Sequence, residues 1–253
     1  MCLVVFGLNT HEKYRLVFVA NRDEFFKRPT QPAHEWVDSG IIAGKDLEAD
    51  GTWMGVNKKG KLAAITNYRD LKNLKKGAPS RGMLTRDFLE SDLSIIEYLE
   101  KIKIKAAEYN GFNLLLADKH RVIHYSNVSK VITEIEDGIH GLSNALLDTP
   151  WPKVKKVKSR LKDAMRNNSL NESSLINMIS DKELAADEEL PDTGVPFELE
   201  KQLSSMYIRI PGYGTRCTTV VKISKQGFLE YTEVAYNEAG ELISRNEFSF
   251  QVE

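Results

Sequence analysis

The chain opens on seven consecutive apolar residues, Cys2 to Leu8, and a second short run rich in β-branched residues, Leu16 to Asn21, follows after a polar gap. Runs of this length read as strands, and two so close together read as a hairpin. A second hairpin is expected where Thr52 to Asn57 and Lys61 to Asn67 flank the Lys58-Lys59-Gly60 turn. Strands are expected again at Phe112 to Ala117, Val122 to Ser126 and Gly138 to Asn144, and at the far end at Met206 to Ile210, Arg216 to Ile223 and Leu229 to Ala235. Helices fall between. Ser94-x-x-Glu97 has capping-box spacing, Leu93 can staple to Tyr98, and Ile95, Leu99, Ile102 and Ala106 share one face up to the Asn110-Gly111 stop. Pro152 suits the first turn of a helix running to about Asn167, and Leu170 to Glu189 reads as helix and acidic loop. Strands, then helices, then strands again point to a layered α+β fold, not a doubly wound parallel sheet. No linker or repeat divides the chain, so residues 1–253 are expected to form one domain.

Composition narrows the function classes. The 253 residues are 42% hydrophobic and carry 35 Lys+Arg against 36 Asp+Glu, so no bulk charge recruits nucleic acid or an anionic membrane. The basic stretch Lys153, Lys155, Lys156, Lys158, Arg160 and Lys162 spreads around its helix and is expected to be a solvated face. No apolar run approaches the roughly 20 residues of a membrane-spanning helix, and no signal peptide is evident, so a cytoplasmic protein without membrane insertion is expected. Two cysteines make neither a disulfide framework nor a four-ligand zinc site. His120 and His124 would share a strand face but lack an acidic or cysteine partner, and no phosphate-binding loop is present, so no metal or cofactor is expected. Leu190-Pro-Asp-Thr-Gly194 has the sortase pattern without the apolar tail that pattern needs. Oligomeric state is left open.

Cys2 is the sharpest chemical feature. Removal of Met1 would make it the N-terminal residue, joining a thiol nucleophile to an α-amine that titrates near ~7.7 to 8.0 and can take the thiol proton. The alternative is a small apolar residue beginning a strand. Asn21-Arg22-Asp23-Glu24 closes the second strand, where Asp23 could hold an ammonium group or simply shape a turn. Asn67 and Asn144 also end expected strands, where an amide can donate to an oxyanion or serve as ordinary turn chemistry. Arg216 opens a late strand and reads either as a group orienting the nucleophile or as half of an ion pair.

Together these residues resemble the NRDE family, also called the transport and Golgi organisation protein 2 family. The resemblance spans nearly the whole chain: Met1-Cys2, Asn21 to Glu24, Ala43-Gly44-Lys45-Asp46 through Gly51-Thr52-Trp53, Thr66-Asn67-Tyr68-Arg69, Ser80-Arg81-Gly82, Gly141-Leu142-Ser143-Asn144, Thr149-Pro150-Trp151-Pro152-Lys153, Leu190 to Pro196, and Tyr213-Gly214-Thr215-Arg216. It implies a link to Golgi organisation, lipid and acyl-CoA metabolism, or haem trafficking. A more distant resemblance is to bile-salt hydrolases and penicillin V acylases, which also begin Met-Cys and carry Asn-x-Asp at the end of the second strand. That likeness implies a four-layer αββα sandwich, with Cys2 as nucleophile, Asp23 on its amine or thiol, Asn67 and Asn144 at the oxyanion and amine, and Arg216 as the late strand-opening arginine. One departure stands out. Those enzymes place an arginine before the Asn-x-Asp, whereas this chain has Ala20 there and Arg22 inside the motif. Two functions follow as expectations: hydrolysis of a linear amide or related acyl compound, or non-catalytic carriage of a hydrophobic ligand such as haem or an acyl-CoA.

Overall fold

The structure is a computed structural model and describes residues 2–253. The expected loss of Met1 lies outside the described residues.

Strand β1 (Cys2–Leu8) pairs antiparallel with β2 (Tyr14–Phe25), the first expected hairpin. Next come β3 (Thr30–Trp36), β4 (Ile41–Asp46), β5 (Met54–Asn57) and β6 (Leu62–Asn67), the last two joined through Gly60 at φ +81. Two helices, α1 (Gly82–Glu90) and α2 (Ile95–Lys105), precede β7 (Phe112–Ala117), β8 (Val122–Ser126), β9 (Ile132–Glu134) and β10 (Gly138–Leu142). Helices α3 (Pro152–Arg166), α4 (Glu172–Met178) and α5 (Phe197–Gln202) lead to β11 (Arg209–Ile210), β12 (Tyr213–Ser224), β13 (Phe228–Tyr236) and β14 (Leu242–Gln251).

These strands form two antiparallel sheets. One runs β10-β1-β2-β12-β13-β14 with β11 on β12, and the other runs β3-β4-β5-β6-β7-β8-β9. Because side chains alternate along a strand, each sheet has an inner and an outer face. Val4, Phe6, Leu8, Leu16, Phe18 and Ala20 meet Ile42, Met54, Val56, Leu62 and Leu115 in the core between the sheets. The other parity, Leu3, Val5, Val17 and Val19, packs on Val154, Val157 and Leu161 of α3. On the second sheet Ala63, Ile65, Leu114 and Leu116 pack on Leu84 and Phe88 of α1 and on Leu99 and Ile102 of α2. The order of layers is therefore helix, sheet, sheet, helix, the expected αββα sandwich. Burial on both faces explains why β1 lacks the polar alternation of a half-exposed strand.

Local signals held where their chemistry is explicit. Ser94 caps α2 with the reciprocal capping box, and Pro152 occupies the first turn of α3. Six elements, β3, β4, β9, β14, α1 and α5, escape the sequence reading. β3 carries Pro32 and β14 is a half-exposed edge strand, α1 has no side-chain cap, and β9 and α5 are very short. Met206 to Ile210 narrows to Arg209–Ile210. His120 sits in a turn whose amides donate to Asp118, so it does not share a strand face with His124. Among the described residues no helix is long and apolar enough to cross a membrane.

His124 is buried on the inner face of β8, where its Nε2 lies 3.1 Å from Asn113 Oδ1. Desolvation pulls its pKa down to about 4. The folded state therefore keeps His124 neutral while the unfolded chain, near ~6.5, takes up a proton. Stability fully present above pH ~6.5 is lost as the pH falls toward 4, by roughly 3 kcal/mol at the limit. Urea midpoints measured at pH 7 and pH 4.5 should fall further in the native protein than in His124→Gln; equal falls would assign the acid sensitivity to other groups.

Candidate active site

A cavity of about 350 Å³ lies at the ends of the two sheets where β1 begins. Cys2, Arg22, Asp23 and Glu24 enter it from the first sheet, Gly44 to Asp46, Ile65 and Asn67 from the second, and Thr52, Trp53 and Ala78 to Gly82 from the connecting segments. The far wall is fixed by a glycine crossing. A Cβ on Gly51 would meet the Gly82 carbonyl carbon at 2.5 Å, so only glycine lets the Thr52 segment and the start of α1 approach this closely.

Register places the cysteines. Cys2 pairs with Arg22, and Arg22 pairs on its other side with Cys217, so all three share the inner face. One strand separates the two thiols. Their Cα atoms are thus about 10 Å apart, beyond the ~7 Å that a disulfide can bridge. Both cysteines are buried and free. Burial raises the Cys2 pKa, Asp23 adds to the rise, and the Arg22 guanidinium opposes it. Cys217 is pushed well above the ordinary thiol range by burial and by Glu233.

Behind Cys2 lies a buried charge network. Asp23 accepts from Thr215 Oγ1 at 2.7 Å, and its backbone carbonyl accepts from the Tyr213 hydroxyl at 3.0 Å. Burial raises the Asp23 pKa, while Lys153 and Arg69 pull it down. Lys153 departs from the solvated face expected for its helix: it is buried at the first turn of α3, and its Nζ donates to Leu203 O at 2.8 Å. Desolvation first, then neighbouring Arg69, brings its pKa to about 8, against the pull of Asp23, Glu200 and Cys2. Arg69 is ion-paired with buried Glu200, stacks over Trp151 at 5.0 Å, and Thr193 donates its hydroxyl to Glu200. The sortase-like segment thus has a structural use, holding Glu200.

The sequence candidates separate into two groups. Cys2, Asp23, Asn67, Arg22 and Glu24 line the cavity. Asn144 lies beside it: its Nδ2 donates to Asn67 O at 2.8 Å and its own carbonyl accepts from Arg69 N at 2.7 Å. It ties the two sheets together and fixes Asn67, with one amide hydrogen already committed. Ser143 Oγ, next to it, donates to the Cys2 carbonyl at 3.2 Å. Arg216 does not turn toward Cys2. It is the extra residue of a bulge between Thr215 and Cys217, and its Nη1 donates to the carbonyls of Phe25, Phe26 and Arg28. Arg22, its register partner, is an arginine whose charge reaches Cys2. Asn21 faces the helical side, donating to Ile179 O and Met206 O and accepting from Thr218. Sequence reasoning missed Lys153, Arg69 and Glu200 as a unit. The available signal was Lys153 itself, since a cation in the first turn opposes the helix dipole unless something pairs with it.

Two antiparallel sheets between helical layers, with a cysteine starting a central strand, define the N-terminal nucleophile hydrolase fold. Solved structures agree. A Caenorhabditis elegans N-acylethanolamine-hydrolyzing acid amidase ortholog superposes with TM-score 0.53 at 12% identity, covering 87% of this chain and 92% of that one. The C2A mutant of conjugated bile acid hydrolase from Clostridium perfringens gives 0.52 at 13% identity, covering 100% and 93%. Within that fold the chain belongs to the Transport and Golgi organisation 2 family, whose sequence profile matches residues 1–238. It is 35% identical over 258 residues to the human Transport and Golgi organization protein 2 homolog, covering 92% of each chain. The Drosophila melanogaster Transport and Golgi organization protein 2 is 26% identical over 272 residues, covering 95% of each.

Proposed function

We propose that this protein is a cysteine N-terminal nucleophile hydrolase that cleaves a small amide or related acyl compound. The observation that carries the reading is the convergence of Cys2 and Asn67 on one cavity, with Asp23 behind the thiol in a buried charge network. Release of Met1 would free the Cys2 α-amine. Burial favours the neutral thiol and amine over a thiolate and ammonium, so proton transfer accompanies attack instead of preceding it. The sulfur forms a bond to the carbonyl carbon as its proton passes to the amine. Asn67 donates to the resulting oxyanion, and Asp23 steadies the ammonium. The intermediate collapses, the ammonium protonates the leaving group as its bond to carbon breaks, and water then hydrolyses the thioester to a carboxylic acid and the free thiol.

Arg22, Arg28, Lys45, Arg81, Asp46 and Glu48 make the cavity wall charged, which favours a polar ligand over apolar cargo such as haem. Two free thiols suit a reducing compartment such as the cytoplasm.

Asn67 provides the test. Asn67→Ala keeps the backbone carbonyl that Asn144 holds and removes only the proposed oxyanion donor. We expect kcat on an amide substrate to fall by about 10²- to 10³-fold with KM little changed. An unchanged kcat would remove Asn67 from the mechanism.

A further inference from the structure

The cavity wall carries four cationic side chains, and they are not equivalent. Arg22 pairs with Asp46 at 3.4 Å, Arg28 with Asp46 at 2.6 Å and Glu48 at 3.1 Å, and Lys45 with Asp50 at 2.7 Å. Arg81 makes no ion pair with any described residue; its Nη1 donates to the Gly111 carbonyl at 3.0 Å. That bond fixes one corner of the guanidinium and leaves most of its five N-H donors for another partner. The position is also held from behind. Leu84 N donates to Arg81 O at 3.0 Å, and Thr52 N to Gly82 O at 3.2 Å across the glycine crossing.

We propose that Arg81 is the anion-recognition residue of this cavity, and that the acyl compound taken there bears a carboxylate or a phosphate. The proposal rests on the hydrolase reading and names its substrate class. A half-buried guanidinium without a counter-ion has lost part of its hydration and gained no carboxylate in return. An oxyanion receiving two of its N-H groups restores that balance, whereas a neutral ligand leaves it unmet. Cys2 lines the same cavity and Arg81 lies within electrostatic reach of it, so an anion held by Arg81 places a nearby carbonyl over the nucleophile. Glu24 is the opposing charge: it is in the same wall, outside ion-pair distance, and repels an incoming anion. Its removal should tighten anion binding.

Equilibrium binding to the Cys2→Ala protein tests this without turnover. N-hexanoylglycine is compared with its neutral partner N-hexanoylglycinamide, and N-hexanoylaminoethyl phosphate with N-hexanoylethanolamine; the two pairs separate carboxylate from phosphate. At least one anionic member should bind about tenfold or more tighter than its neutral partner. Adding Arg81→Gln should bring that ratio close to one, Arg81→Lys should leave it intermediate, and Glu24→Gln should raise it. Arg81→Lys keeps the charge and serves if the glutamine variant does not fold. Equal affinity within both pairs, no binding of any member, or a preference that survives Arg81→Gln would overturn the proposal. The hydrolase reading fails separately, through absence of Cys2-dependent turnover in the unmodified enzyme. Anion preference without turnover sinks that reading alone; turnover of neutral amides without anion preference sinks Arg81 alone.

Discussion

Cys2→Ala is expected to lower turnover of an acyl substrate by at least ~10³-fold, the scale on which removing a covalent nucleophile acts. The other thiol, Cys217, is not placed to replace it. Cys217 lies one strand further on, behind Arg22, with its proton held by burial and by Glu233. The loss should appear in kcat with ligand affinity retained, because the cavity walls come from Arg22, Trp53, Asn67 and Arg81 as much as from the thiol. Cys2→Ser should fare little better. Its hydroxyl is a far weaker acid than the thiol, and the same desolvation that raises the Cys2 pKa would hold the serine proton more firmly. Steady-state hydrolysis with circular dichroism as a folding control checks this. Activity within tenfold of the native protein in a folded Cys2→Ala variant would show that the chemistry lies elsewhere.

The second large effect is on stability. Glu200→Gln keeps the shape of the side chain and its contact with Thr193 but removes the counter-charge of buried Arg69. A buried ion left without its partner typically costs 3–5 kcal/mol, so the urea midpoint should fall by an amount equivalent to about 4 kcal/mol at pH 7. Lys153 adds a pH signature. Its folded pKa of about 8 lies below the ~10.4 of the unfolded chain, so the unfolded state binds the extra proton between those values and stability rises with pH across that window. Glu200 supports the Lys153 charge. In Glu200→Gln the folded pKa drops further, the window opens at lower pH, and part of the lost stability returns under alkaline conditions. A variant equally destabilised at pH 6 and pH 9 would contradict this coupling of Lys153 to the Arg69 pair.

What the sequence conveyed depended on distance along the chain. Hairpins, the capping box before α2 and the proline start of α3 are local arrangements, written in adjacent residues, and they appear as expected. β3 and β14 are partly exposed strands whose polar residues face water, so hydrophobic patterning was a poor guide to them. The candidate site divided in the same way. Cys2, Asp23 and Asn67 reach the cavity because each sits at the open end of a strand in one of the paired sheets. Arg216 was expected to open its strand but lies inside β12, where a single bulge turns it onto the Phe25 to Arg28 carbonyls, and no sequence pattern announces a bulge. The Asp23, Lys153, Arg69 and Glu200 network joins four remote segments. Only the packing of α3 and the 193–200 segment around the sheet ends reveals that a lysine in a basic helix is buried.

The most direct test of the central claim is intact-mass and peptide mass spectrometry after incubation with an activated acyl ester. A single acyl group is expected on Cys2, on a chain whose first residue is Cys2, with the adduct absent from Cys2→Ala. A chain that retains Met1 and gains no acyl group, or an adduct carried by Cys217, would contradict it.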